Sequence, residues 1–373
     1  MWMTAAGMGV RLDPLGNLLG RYEGTHPNAP ALLIGSHIDT VRNGGRYDGA
    51  LGVMLGIETV EALSNAGRRM PFAIEVIAFG DEEGSRFPAS MLCSQGIVGG
   101  IGEEALALED ANGVSLSQAL LDFGLDPADI AKAARRPGEV LAYVEAHIEQ
   151  GPVLEARDLP IGVVTGIAAQ LRLKARFIGV AGHAGTSPMG LRHDAIAAAA
   201  AGVLAVEEIC AAGAPDLRGT VGRFLPLTGA YNVIAGEVEM GIDLRASNRP
   251  VRDAAAEQIR LRLTQIAQDR GVTLEFAVVQ DLPDTACDER LVRVMADAVE
   301  AVGVEPFHMV SGAGHDAMTV NGLAPVAMLF IRCERGISHN ADEAVAAPDV
   351  ALATRVLVEF VEKLALENAL ETT

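Results

Sequence analysis

Apolar residues recur along this chain in two rhythms, and the order of those rhythms changes partway. In the first third, short apolar runs alternate with stretches of helical period. Ala31–Ser36 (ALLIGS) has the pattern of a buried strand that ends in polar residues. Ala50–Ala66 repeats its apolar positions with helical period and stops at Gly67, a residue suited to the left-handed turn that ends helices. Phe72–Phe79 (FAIEVIAF) is a second buried strand, followed at once by Asp81-Glu82-Glu83-Gly84. This alternation predicts a sheet with helices on both faces. Ligands in such folds gather at the carboxyl ends of the strands.

Between about residues 168 and 283 the order becomes strand Gln170–Val180, helix His193–Ala211, strands Thr220–Leu227 and Glu237–Ala246, helix Val251–Asp269 and strand Thr273–Gln280. That succession, β-α-β-β-α-β, is the split ferredoxin-like unit, and it carries apolar faces enough to stand as a separate domain. Beyond it, helix Glu289–Val302, strand Ala324–Ile331 and the long amphipathic helix Asp349–Leu366 return to the first pattern. The expectation is an α/β protein of two domains. Residues 1–167 and 284–373 form one discontinuous domain, and residues 168–283 are inserted into it.

Composition narrows the class. At 373 residues the chain exceeds one ordinary core, and half of it is hydrophobic with a fifth charged, as in a globular protein. The longest apolar run, Ala195–Val206, falls short of the roughly 20 residues that span a bilayer, so no membrane partner is expected. A net charge of −20 argues against nucleic acid, whose phosphates call for a basic surface. Cys93, Cys210, Cys287 and Cys333 lack CxxC spacing and read as buried thiols of a reducing compartment. The N-terminus has neither the basic start nor the long apolar stretch of a signal peptide. A cytoplasmic location is the expectation.

The chemistry concentrates at strand ends of the discontinuous domain. His37 and Asp39 follow the first strand, where a nearby carboxylate can orient an imidazole for metal binding. The glycine-rich stretch 44–49 delivers Asp48 to the start of a helix, Glu82 and Glu83 end the next strand, His147 ends another strand-like run, and His339 follows the last strand. Taken singly, each has an ordinary structural reading: Asp48 as a helix cap, the glutamates as a solvated turn, the histidines as satisfied core or surface residues. Taken together they form a mixed histidine–carboxylate set suited to zinc, manganese, cobalt or nickel.

Seven stretches in this order are more specific than the spacing: GSHIDTV (35–41), GGRYDGALGV (44–53), DEEGSRF (81–87), HIEQGPVLE (147–155), GHAGTSPM (182–189), SGAGHDA (311–317) and GISHN (336–340). On them the chain resembles the N-carbamoyl-L-amino-acid hydrolase and allantoate amidohydrolase branch of the aminoacylase/carboxypeptidase-like binuclear metal hydrolases, from about Arg11 to the C-terminus.

The resemblance implies roles. Asp48 would bridge two divalent ions, with His37 and His147 completing one ligand set and Glu83 and His339 the other. Two such ions, roughly 3.5–4 Å apart, share a water and lower its pKa from about 16 towards 7. Glu82 matches the general base, and Asp39 the residue behind His37. His183 in the inserted domain would stabilise charge on the attacked carbonyl oxygen in a partner subunit of a homodimer. Asn232 and Arg245 would hold the carboxylate of a small ureido or amide substrate, Gln150 its ureido end, and the Ala313 and Gly314 amides would add donors to the same carboxylate. Without the resemblance, Arg245 reads as a surface ion pair and His183 as a turn residue. The inserted domain then serves as lid and dimerisation module.

The chain departs from this family pattern in two places. Family members carry a further helix ahead of the first motif, and this chain begins near that helix's end, at Trp2–Met8. The stretch Ile331-Arg332-Cys333-Glu334-Arg335 carries charges where small or neutral residues are expected, a change to the pocket wall. The leading expectation is hydrolysis of an N-carbamoyl-L-amino acid, with allantoate as the nearest rival substrate. A metallo-exopeptidase or deacylase and a non-catalytic metal-binding protein are the readings from other classes. Gln150 weighs against the first and the general base Glu82 against the second.

Overall fold

The computed structural model describes residues 1–227 and 229–371. Contacts divide the chain into two units, Met1–Thr165 with Ala286–Thr373, and Gly166–Thr285. The first unit opens with strands β1 (Gly9–Leu12), β2 (Leu18–Tyr22) and β3 (Ala31–His37), helix α1 (Ala50–Asn65), and strands β4 (Ala73–Phe79), β5 (Val140–Ile148) and β6 (Ile161–Ile167). The second comprises β7 (Ala169–Ile178), β8 (Gly182–His183), α2 (Ala195–Ala212), β9 (Arg218–Pro226), β10 (Val233–Ile234), β11 (Glu237–Ala246), α3 (Arg249–Asp269) and β12 (Thr273–Leu282). The chain then returns to the first unit with β13 (Thr285–Ala286), α4 (Glu289–Ala301), β14 (His308–Ser311), β15 (Val326–Ile331) and α5 (Ala347–Glu371).

The first unit is built on a nine-stranded sheet in the order β1-β2-β4-β3-β5-β15-β6-β13, with β14 beside β6. Its centre is parallel: β4 with β3, β3 with β5, and β5 with β15. Every residue of β3 and β4 is buried, as the unbroken apolar runs require of strands covered on both faces. Leu55 and Val60 of α1, Met295 of α4 and Phe360 of α5 share a core with Leu32, Ile34 and Val76 of the sheet. A second cluster gathers Leu15, Phe87, Leu92, Leu116 and Leu120 around short helices. Four parallel strands therefore end at one edge. Whatever follows β3, β4, β5 and β15 in sequence converges there.

The second unit has the element order β-α-β-β-α-β and an antiparallel sheet ordered β12-β7-β11-β9. Alternation along β11 is strict. Val238, Met240, Ile242 and Leu244 are buried with residues of α2 and α3, while Glu237, Glu239, Asp243 and Arg245 lie on the opposite face. There Glu239 meets Lys174 at 2.6 Å, and Asp243 meets Arg172 at 3.2 Å. Sequence periodicity misses the small ribbon in which β8 pairs with β10, because two residues carry no period. Helix α2, with 18 residues, is longer than its apolar run suggested and apolar enough by composition to cross a membrane. Its Ala198, Ala199, Gly202 and Val206 are instead buried in this unit's core.

Arg252 of α3 is 1% exposed, and its Nη1 donates to the Gln170 and Leu282 carbonyls at 2.8 and 2.9 Å. Those residues face each other across β7 and β12, where the chain enters and leaves the unit. Replacing Arg252 with Met keeps the bulk and leaves both carbonyls without their donor. The expected cost is about 2–4 kcal/mol, read as a lower urea midpoint by circular dichroism; an unchanged midpoint would show that the clamp contributes nothing.

Candidate metal centre

Two imidazoles set the geometry. His37 closes β3 and His147 lies one residue from the end of β5, both almost wholly buried. The Nδ1 of His37 lies 2.9 Å from the Asp39 carbonyl, and that of His147 lies 2.9 Å from the Ile148 carbonyl. A carbonyl only accepts, so each Nδ1 carries the proton and each Nε2 a lone pair. The Gly49 N–H donates to His147 Nε2 at 3.2 Å, which agrees with that tautomer. The two Nε2 atoms lie 3.3 Å apart. Lone pairs do not face each other at that distance for their own stability.

Asp48 is brought to them by the loop after β3. Gly49 has φ +67°, and a Cβ there would lie 2.3 Å from the His37 ring. Only glycine lets the chain turn into α1 so close to the imidazole. Asp48 Oδ1 then sits 3.1 Å from His147 Nε2 and 3.8 Å from His37 Nε2, while Oδ2 sits 3.1 Å from His339 Nε2. Gln150 Nε2 donates to both oxygens at 3.2 and 3.1 Å, and the Ser338 hydroxyl lies 3.2 Å from Oδ2. The Asp48 and Tyr47 amides donate to Glu343 Oε1 at 3.1 and 2.8 Å.

Glu82 and Glu83 are adjacent, and on a regular strand they would point to opposite faces. The chain instead kinks after β4 at Asp81, φ +53°, a conformation costly for a residue with a side chain and common at functional sites. The Asp39 carboxylate holds the kink by accepting the Glu82 and Glu83 amides at 3.1 and 3.2 Å. Glu82 Oε2 comes to lie 4.0 Å from His37 Nε2, and Glu83 Oε1 3.1 Å from His339 Nε2. Asp39 also stands behind the His37 ring: its carbonyl is 2.9 Å and its carboxylate 3.7 Å from His37 Nδ1. Strand β3 ends at His37, so the loop rather than strand alternation brings it there.

The ligand atoms thus fall into two groups that share Asp48: His37, Asp48 and His147, and Asp48, Glu83 and His339. Donors about 2.0–2.1 Å from one tetrahedral ion lie about 3.3 Å apart, close to the 3.1–3.3 Å found for four of these pairs. Glu83 Oε1 is buried 3.1 Å from His339 Nε2. Both features fit a pair of divalent cations. Electrostatics points the same way. Burial raises the Asp48 carboxyl, but the His147 and His339 imidazoles against its two oxygens outweigh it and hold Asp48 well below the usual carboxylate range. Hydrogen bonds to Asp48 and Glu83 push His339 up to about 10. Burial, then the charges of Asp316, Glu83, Glu145 and Asp39, push Glu82 up to about 10.

The residues expected to bind substrate are distributed differently. His183 and Asn232 stand together, since His183 pairs with Val233 and the Ala184 amide donates to the Asn232 carbonyl at 3.0 Å. Arg245 does not join them. It lies at the far end of β11 from Glu237, roughly 26 Å along an extended chain, and donates to Asp243 at 2.7 and 3.1 Å. The Ala313 amide is not the free donor expected, because it already donates to Ser311 Oγ at 3.1 Å; Gly314 adjoins it in the same loop. In the unexpected stretch 331–335, Arg332 turns to Asp349 at 2.8 Å and Asp158 at 3.0 Å, and Cys333 is fully buried.

Sequence reasoning missed Glu343, for which no spacing or composition signal exists, and it gave no role to Ser338, which lies within the GISHN stretch, or to His315 and Asp316, which lie within SGAGHDA. The His315 ring packs edge-on against His147 at 4.6 Å and its Nε2 lies 2.7 Å from Ser311 Oγ. Asp316 and Glu145 are buried behind it.

Comparison with known proteins follows this geometry. A family model described as Peptidase family M20/M25/M40 matches residues 33–363. The chain is 42% identical over 364 residues to an N-carbamoyl-L-amino acid amidohydrolase of Geobacillus stearothermophilus, covering 98% of this chain and 89% of that protein. It is 39% identical over 403 residues to a probable allantoate deiminase of Oryza sativa subsp. japonica, covering 100% and 82%. A hydantoinase/carbamoylase family amidase from Burkholderia multivorans superposes with a TM-score of 0.91 at 33% identity, covering 97% and 88%.

Because His339 is held up to about 10 without a cation, its ring is protonated at neutral pH and a cation must displace that proton. Apparent cation affinity should therefore rise as pH climbs towards 10. Calorimetric titration at pH 7 in buffers of different ionisation enthalpy should show proton release; binding heats independent of buffer would contradict this reading of the site.

Proposed function

The chain belongs to the peptidase M20/M25/M40 family, and from that premise we propose that it hydrolyses N-carbamoyl-L-amino acids to the amino acid, carbon dioxide and ammonia. It is a hydrolase of linear, non-peptide C–N bonds. The observation that carries the reading is one carboxylate, Asp48, offering an oxygen to each of two ligand groups, beside a buried glutamate, Glu82, that belongs to neither.

His37, Asp48 and His147 would hold one cation, and Asp48, Glu83 and His339 the other, with zinc, manganese, cobalt or nickel all suited to the donor set. Such a pair, when bound, would lower the pKa of a water at the site and favour the ionised form of Glu82. Glu82 takes the proton of the water that adds to the ureido carbon. It returns that proton to the leaving nitrogen as the C–N bond breaks. Gln150 Oε1, buried without a hydrogen bond among the described residues, is placed to accept from the ureido nitrogen. Allantoate is the second substrate reading, supported by the rice relative.

The active unit is taken to be a homodimer. His183 Nδ1 accepts the Gly185 amide at 3.0 Å, so its Nε2 carries the proton and can donate to the oxygen on which charge develops. His183 and Asn232 lie at one end of the inserted sheet and Arg245 at the other. One copy of that unit therefore does not bring all three to a single small carboxylate, whereas two copies can divide them. We assign His183 and Asn232 to the neighbouring copy's site.

The test is ammonia release from N-carbamoyl-L-amino acids and allantoate with manganese, cobalt, nickel and zinc in turn, run beside Glu82→Gln. The wild type should release ammonia, and the variant should bind cations normally while losing roughly 10²–10⁴-fold in turnover. No ammonia from either substrate class with any cation would overturn the assignment. Loss of cations by the variant would make Glu82 a ligand. Mixing inactive His183→Ala with inactive His147→Ala under conditions of subunit exchange should recover activity; no recovery would mean each copy completes its own site.

A further inference from the structure

The two ligand groups are not built alike. His37 and His147 stand on β3 and β5, neighbouring strands of the sheet, and are 2% and 1% exposed. The other group joins three loops distant in sequence, and the side chain of His339 is 47% exposed with φ +54° at its backbone. A strand-held site is preformed by the sheet. A loop-held site requires something to dock one loop on another.

Glu343 does this. It is 3% exposed, and Oε1 accepts the Tyr47 and Asp48 amides at 2.8 and 3.1 Å while Oε2 accepts the Ser338 hydroxyl at 2.9 Å. One carboxylate thus spans the loop that carries Asp48 and the loop that carries His339. The approach is tight: a Cβ on Gly45 would lie 2.0 Å from Glu343 Oε1, so the glycine loop is wrapped around this carboxylate. Among the described residues its hydrogen bonds come from the Tyr47 and Asp48 amides and the Ser338 hydroxyl, groups adjacent to candidate ligands or belonging to one, and none comes from a candidate ligand atom.

We propose that Glu343 is the positioning residue that sets cation affinity at the Asp48–Glu83–His339 group while leaving the His37–Asp48–His147 group in place. The physical reason is that it fixes the distance between the Asp48 and His339 loops before any cation arrives. Removing the charged acceptor lets Asp48 Oδ2 and His339 Nε2, now 3.1 Å apart, drift, whereas Asp48 Oδ1 still faces two histidines held by the sheet. Loss of such an outer partner typically costs 10–100-fold in metal affinity. The inference rests on the binuclear reading above.

The experiment is equilibrium titration of cobalt(II) into the metal-free full-length chain, followed by visible absorption, for wild type, Glu343→Gln and Glu343→Asp. Gln preserves the shape and removes the charge; Asp preserves the charge and withdraws it by one methylene. The wild type should bind two ions. Each variant should keep the tighter ion within about twofold and bind the second roughly 10–100-fold more weakly. A general structural role would weaken both ions together, and that result overturns the proposal, as does a variant matching wild type at both. Should Gln unfold the chain, Asp alone decides between the same outcomes. A wild type that binds fewer than two ions overturns the binuclear reading itself, and is thereby told apart from failure of the Glu343 assignment.

Discussion

Everything at the centre of this protein depends on one carboxylate being shared. Asp48 has an oxygen 3.1 Å from His147 on one side and another 3.1 Å from His339 on the other. Beside it the two buried histidine nitrogens stand 3.3 Å apart, an arrangement that is repulsive unless positive charge lies among them. The fold devotes a left-handed Gly49, a glycine loop and the Glu343 carboxylate to holding Asp48 there. A freely rotating carboxylate would serve one group or the other. Held by its own amide and by Gln150 and Ser338, it serves both.

The same edge of the sheet carries an unusual density of acid. Asp316, Glu83, Glu145 and Asp39 stand close enough that each shapes the charge of Glu82. Burial that would be ruinous for isolated carboxylates would become tolerable beside the cations proposed for this site. The backbone bears part of the cost: Asp81, Gln150 and His339 all adopt positive φ, conformations of order 1–3 kcal/mol each for residues with side chains. All three flank or belong to the ligand set, which is where strain of this kind serves a purpose.

The inserted unit obeys a simpler rule. Its sheet buries one face under α2 and α3 and leaves the other as a lattice of ion pairs between β7, β11 and β12. Alternation places Arg245 on that charged face but says nothing about how far it lies from His183. The strand's length settles that, and it separates the two ends of the sheet too widely for one small substrate to touch both.

How much of this was legible in the chain can be read from particular residues. The unbroken apolar runs of β3 and β4 and the strict alternation of β11 follow from local sequence, because burial on two faces or one writes itself into every successive side chain. The candidate ligands His37, Asp48, Glu83, His147 and His339 were recognisable as types at strand ends, and ordered motifs singled them out. The parallel pairing of β4, β3, β5 and β15 then decided that their ends would meet, through contacts between residues as far apart as Asp48 and His339. Glu343, the kink at Asp81 held by Asp39, and the separation of Arg245 from His183 belong to the tertiary structure alone. Each is a distance or hydrogen bond between segments remote in sequence, and local pattern records which face a residue shows without recording what it will touch.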